Sequence, residues 1–244
     1  MSKTLPSPFE TPKNKLIIAL DNIESIRKMR SLIEVTSPYA GWYKVGLETI
    51  TAFGANLVID VVKSFNAKVF SDVKFHDIPN TVAKATGKLG AFNSDMFNVH
   101  CSNGVTAMKA AAEKKGDSLI LGVTVLTSHT DEECIHIFGD TVENKVLKFA
   151  SDAVIAGLDG IVCSSKELQM LSKYDRFDKL YKITPGIQPA GMIKNDQQRV
   201  MTPAEAIKLG ASALVIGRAI TESENSRNTA KMILEEITEA MQTV

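Results

Sequence analysis

Eight short apolar runs recur along the chain, and between them lie longer stretches whose apolar residues return at helical spacing. The runs are Lys15–Asp21, Trp42–Gly46, Lys68–Lys74, Asp95–His100, Leu119–Thr127, Gly160–Ser164, Tyr181–Thr184 and Ala213–Gly217. Each is rich in Val, Ile, Leu or Phe and bounded by turn-forming or polar residues, which reads as strand. LIIAL and ALVIG show no alternation, as expected of parallel strands covered on both faces. The stretches between suit helices, Asn22–Val35 and Ala150–Gly157 among them. Thr202–Gly210 is the clearest: Thr202 can cap, Pro203 suits the first turn, Glu205 completes a capping box and Gly210 supplies the stop. A doubly wound open sheet fits the same alternation, because strand order cannot be read from periodicity. Eight units in 244 residues, with no Gly-, Ser- or Pro-rich linker, favour a single α/β domain of the (β/α)8 TIM-barrel type over 15–244, behind a polar N-terminal extension at 1–14.

Charge and cysteine content narrow the class. Lys plus Arg and Asp plus Glu number 28 each, so no bulk field draws the chain to nucleic acid or an anionic membrane. Any anion recognition must be local. Cys101, Cys134 and Cys163 form no CxxC pair, which argues against a disulfide framework and fits a reducing cytoplasm. The opening MSKTLPSPFETPKN is too polar for a signal-peptide core, and no uncharged apolar run approaches the roughly 20 residues of a bilayer span.

In a barrel all strand C-termini meet at one mouth, where active sites lie. Asp21 closes the first run, Lys44 lies in the second, Asp72 and Lys74 close the third, His100 the fourth, Thr127 the fifth, and Arg218 follows the eighth. Charged strand ends often do no more than reach solvent, and an isolated DxK reads first as a structural ion pair. Asp72 and Lys74, two apart on a strand, share a face; Lys44 sits one strand away; Asp77 follows in a turn stiffened by Pro79. Charges of alternating sign aimed at one mouth cost folding stability, so function is their better explanation. At the other end, Gln188 opens a long polar loop that runs through Gln197 and reads as a lid. Loops after the seventh and eighth strands are the usual phosphate site of such barrels. Gly217 lets a phosphate approach the backbone, and Arg218 can bind it bidentately.

Other candidates are weaker. His76, His100, His129 and His136 lack metal-site spacing, and Lys44 and Lys74 would repel a divalent cation, so no metal is expected. Cys101 and Cys163 read as small buried residues, and Trp42 as a residue packed against a helix.

DVKFHDIPNTV, with IALD before it, YKVG between, VTVLTS after, and TPGIQ, NDQQRVMTP and VIGRAIT toward the end, closely resembles the orotidine 5′-phosphate decarboxylase family. The resemblance runs from about Lys15 to Thr221, and DxKxxDIPNT with a terminal IGR is highly specific. It implies a barrel that makes UMP in the last step of de novo pyrimidine synthesis with neither metal nor organic cofactor. It implies that Lys74 delivers the proton replacing CO2 at C6, with Lys44 and Asp72 in the charged array around the scissile carboxylate. Asp77 would come from the second subunit of a homodimer, with Thr81 in the same nucleotide-contacting stretch across the interface. Asp21 matches a ribose-hydroxyl ligand, Thr127 (with Ser128 as near alternative) a pyrimidine contact, and Gln197, Gly217 and Arg218 the phosphate contacts. Many bacterial members have arginine where this chain has Gln188, which can still hydrogen-bond a phosphate or ribose group. Metal-dependent sugar-phosphate decarboxylases or aldolases share the barrel and DxKxxD; the IPNT continuation and the Gln197 loop favour the pyrimidine enzyme. A non-catalytic nucleotide-binding barrel would keep Arg218 but has no need of Lys44, Asp72, Lys74 and Asp77 together.

Overall fold

The computed structural model describes residues 7–189 and 201–243. Eight parallel strands close into a barrel in chain order, with β8 hydrogen-bonded back to β1. They are β1 (Leu16–Ala19), β2 (Trp42–Gly46), β3 (Lys68–Phe75), β4 (Met96–His100), β5 (Leu119–Val123), β6 (Gly160–Val162), β7 (Tyr181–Pro185) and β8 (Ala213–Ile216). The open-sheet alternative is thereby excluded. Each strand falls inside or within a residue of its expected run. The largest difference is β5, which stops at Val123 rather than Thr127, because β4 ends at His100, the partner of Val123, and offers no ladder beyond it.

Local chemistry explains the helix boundaries. The expected helix at Asn22–Val35 begins only at Ile26: Asn22 sits at φ 56°, outside the helical basin, and the Ser25 hydroxyl accepts the Lys28 N–H as the true cap. The capping box at Thr202 is present, since Thr202 Oγ1 accepts the Glu205 N–H while Glu205 Oε2 accepts the Thr202 N–H. That helix runs Pro203–Lys208, and Gly210 beyond it takes φ 92°, a left-handed turn that glycine reaches without strain.

The strands carry two apolar surfaces. Leu16, Ile18, Tyr43, Val45, Val69 and Phe97 face outward into the layer beneath the helices. Ile17, Trp42, Phe70, Met96, Leu121, Ile183 and Ala213 belong to a separate interior cluster. Phe9 joins that cluster from the N-terminal segment, its ring 5.4 Å from Trp42 and 5.3 Å from Tyr181. Trp42 therefore points into the barrel and not at a helix. Tyr43 takes the outward register, where its hydroxyl lies 2.8 Å from Thr36 Oγ1. With each fully buried large side chain worth roughly 1.5–3 kcal/mol, the dry lower interior is a strong anchor for what stands above it.

Candidate active site

Climbing the inward register from that apolar floor, the side chains turn polar: Trp42 is followed by Lys44, Phe70 by Asp72, and Met96 by Asn98. Pairing of Gly46 with Asp72 and of Ala19 with Lys44 brings the charged residues to one level. Lys44 Nζ lies 2.9 and 3.2 Å from the two Asp21 oxygens and 3.3 Å from Asp72 Oδ2. Asp72 Oδ1 in turn accepts from Lys74 Nζ at 2.6 Å and from Asn98 Nδ2 at 2.7 Å. The result is a continuous series, Asp21–Lys44–Asp72–Lys74, alternating in sign. Its centre is dry, with Lys44 and Asp72 each only 9% exposed.

Burial by itself would lower Lys44, but the Asp72 and Asp21 carboxylates outweigh it and hold the ammonium above the ordinary lysine range. Burial would likewise raise Asp72, yet Lys44 and Lys74 prevail and keep it below the ordinary carboxylate range. Lys44 and Asp72 are therefore both charged at neutral pH. His100, at the end of β4, moves the other way: burial, then the neighbouring His76 and Lys74, lower it and favour the neutral ring.

The backbone at Lys74 departs from a regular strand. Register between β3 and β4 shifts between Ser71 and Phe75, so that four steps of β3 stand against two of β4. Lys74 adopts φ 49°, a left-handed conformation costing a non-glycine residue of order 1–3 kcal/mol. The simple rule that residues two apart share a face does not apply across this bulge. Asp72 and Lys74 meet all the same, because the bulge re-aims the lysine. Its N–H is taken by Asn98 Oδ1 at 2.7 Å.

Lys44, Asp72 and Lys74 line a cavity of about 210 Å3 whose other walls include Phe70, Val123, Thr127, Val162, Cys163 and Val215. Charged groups on one side face apolar ones on the other. All three cysteines are buried and free, and only Cys163 lines this cavity.

The remaining expected residues are placed as follows. Thr127 reaches the cavity from an exposed turn after β5, not from a strand end, and Ser128 is exposed beside it. Asp77 and Thr81 are exposed, outside the buried array of this chain. Asp77 Oδ1 accepts the Ile78 N–H, and Thr81 lies in the first turn of the helix Pro79–Ala91. Gln188 follows Gly186, which takes φ 75°, and its N–H donates to the Met201 carbonyl at 3.2 Å. Gly217 joins β8 to the short helix Arg218–Thr221; a Cβ there would stand 3.4 Å from Ala19 Cβ, and Arg218 is exposed at the rim. Gln197 and most of the expected lid fall in 190–200, outside the described residues. Among the described residues no group of three or more His, Cys, Asp or Glu gathers as metal ligands would.

Asn98 is the residue that reading the sequence missed. The signal was present: an amide at the inward position of MFNVH, where Met96 and Leu121 place apolar side chains.

Fold and site define a (β/α)8 barrel of the enzyme type, with a buried array of alternating charge at the C-terminal mouth of its strands. The chain belongs to the orotidine 5′-phosphate decarboxylase / HUMPS family, whose model matches residues 14–233. It is 41% identical over 237 residues to the orotidine 5′-phosphate decarboxylase of Moorella thermoacetica, covering 92% of each chain. It is 38% identical over 233 residues to that of Geobacter sulfurreducens, covering 92% of this chain and 96% of the relative. The crystal structure of the decarboxylase from Lactobacillus acidophilus superposes with a TM-score of 0.78 at 28% identity, covering 91% of this chain and 98% of that one.

Proposed function

We propose that this protein decarboxylates orotidine 5′-phosphate to UMP, the closing step of pyrimidine nucleotide synthesis, using the charged array alone. The observation that carries this reading is the 2.6 Å contact of Lys74 Nζ with Asp72 at the wall of the cavity. Relatives that share this much sequence over nearly the whole chain support it.

The bond from C6 to the carboxylate breaks heterolytically, CO2 departs, and the electron pair stays on an sp2 carbon without a conjugated sink. The Lys74 ammonium stabilises that charge as it forms, then passes a proton to C6 and is left as a neutral amine for solvent to recharge. One pair of unit charges 4 Å apart contributes about 4 kcal/mol at an effective dielectric near 20. Enzymes commonly supply about 8–23 kcal/mol, so a single contact falls short. Asp72 and Lys44, already held in place, spare the reaction the cost of organising charge, and Asp72 faces the substrate carboxylate. Asp21 takes the ribose hydroxyls, and Thr127 the pyrimidine. Gln197, Gly217 and Arg218 take the phosphate, whose binding closes the loop and dries the array, and Gln188 takes a phosphate or ribose group.

Asp77 and Thr81 complete the site of a second subunit in a homodimer. Their exposure, beside an Ile78 that is 65% exposed, supports this arrangement. Cysteines that are all free agree with a cytoplasmic setting. No helix among the described residues is long and apolar enough to cross a membrane.

The test is the loss of orotidine 5′-phosphate absorbance with purified protein in EDTA, beside Lys74→Ala. Conversion to UMP that the variant lacks is expected. A folded wild type that leaves the nucleotide intact would overturn the reading, and metal with a keto-sugar phosphate would be tried next.

A further inference from the structure

We infer that Asn98 is a positioning residue of the reaction site, its side-chain amide locking the Lys74 backbone and the Asp72 carboxylate into one unit anchored on β4. This rests on the decarboxylase reading above. Three short contacts meet at this point. Asn98 Nδ2 donates to Asp72 Oδ1 at 2.7 Å, the same oxygen accepts Lys74 Nζ at 2.6 Å, and Asn98 Oδ1 accepts the Lys74 N–H at 2.7 Å. The amide's orientation is not arbitrary: a carboxylate oxygen can face only the NH2 end, and a backbone N–H only the oxygen end.

The register shift between β3 and β4 explains why a side chain is needed here. Where four steps of β3 meet two of β4, the regular ladder is interrupted around Lys74. The Asn98 oxygen takes the place of a ladder carbonyl and holds Lys74 at φ 49°, a conformation that needs surrounding support to persist. Asparagine is depleted in strands, and an amide buried without partners is costly. Asn98 is fully buried, and both its ends are used on the two residues that the proposed reaction depends on. Aspartate would set a second anion against Asp72, and an apolar residue would leave both the N–H and the carboxylate a bond short.

Asn98→Ala and the nearly isosteric Asn98→Asp separate positioning from packing. The measurements are kcat and KM for orotidine 5′-phosphate, the Kd of UMP, and Tm, each beside wild type. Both variants should bind UMP within about threefold of wild type while kcat falls by about a hundredfold, the scale of loss from a misplaced reacting group. Asn98→Asp keeps the acceptor for the Lys74 N–H but not the donor to Asp72. Its acid limb of kcat against pH should therefore move upward. Asp72 is faced there by Lys44 from β2 and Lys74 from β3, with Asp21 beyond Lys44, His100 near Lys74 and the His76 ring beside His100. Unchanged kcat in either variant, kcat and UMP affinity falling together with Tm, or an unmoved pH profile in Asn98→Asp would overturn the inference. A wild type without turnover would instead sink the decarboxylase reading, and this inference with it.

Discussion

Lys44 Nζ stands 2.9 Å from Asp21 Oδ1, tying the segment after β1 to the inner face of β2. The two ends of this pair differ in exposure: the Lys44 side chain is 11% exposed, that of Asp21 45%. Charge is thus anchored in the buried interior and reaches solvent at its outer end. A pair that was merely structural would gain little from such a gradient, because its exposed end is screened.

Removing the anchor should act on Asp72. In Lys44→Met the carboxylate loses one of the two cations that hold it below the ordinary range. A depressed carboxylate contributes stability above its unfolded value and loses it as pH falls through its folded value. Wild type should therefore keep this contribution until the pH drops below the ordinary aspartate range near 4, and Lys44→Met should lose it at higher pH. Tm and kcat followed across acid pH measure the shift; superimposable profiles would refute it.

Arg218 sits at the rim after β8, away from the buried array. Arg218→Ala should lower kcat/KM for orotidine 5′-phosphate by roughly a hundredfold or more, while barely changing it for phosphate-free orotidine. Equal losses on both substrates would mean that phosphate binding does not drive the chemistry.

Exposure of Asp77 and Thr81 in the single chain makes subunit mixing informative. Lys74→Ala and Asp77→Ala, each inactive alone, should recover about one quarter of wild-type activity when refolded together in equal amounts. Half of randomly paired dimers then hold one intact site out of two, as an isologous dimer requires. No recovery from a mixture shown to exchange subunits would place both residues in the same subunit's site.

The opposite end of the barrel should matter for stability and not for rate. Asp159 accepts Lys115 Nζ at 2.6 Å and the Ile120 N–H at 2.7 Å, clamping the start of β5. Asp159→Ala should cost about 2 kcal/mol by leaving a partly buried ammonium and an N–H unmatched. For a domain of this size that is about 4–8 °C in Tm. A kcat changed in step with Tm would contradict the separation of the two faces.

Glu167 carries a separate pH signature. Burial pushes its carboxyl up to about 7, against the Ser164 N–H that favours ionisation. A raised carboxyl stabilises the fold below its unfolded value and loses that contribution as pH rises toward 7. Glu167→Gln keeps an acceptor for Ser164 and should flatten the decline in Tm between about pH 4.5 and 7. A decline of unchanged slope would show that the carboxyl titrates normally.

Periodicity, punctuation and spacing were enough to read eight strands, the Thr202 cap and most of the polar residues at the mouth, because these signals are local. Strand order was not readable, since an open sheet and a barrel share the same alternation; only the pairing of β8 with β1 decides between them. The inward turn of Trp42 is hidden for a related reason: a parallel strand is apolar on both faces, so sequence cannot say which side looks inward. The bulge at Lys74 and the bonds of Asn98 were equally hidden, because a register shift belongs to two strands at once. The sequence by itself determined which charges the chain carries and near which strand ends. The tertiary structure alone decided that Lys44 and Asp72 meet in a buried interior, with Asp21 and Lys74 joined to them at its more exposed ends, so that each opposite charge offsets the cost of burying its neighbour.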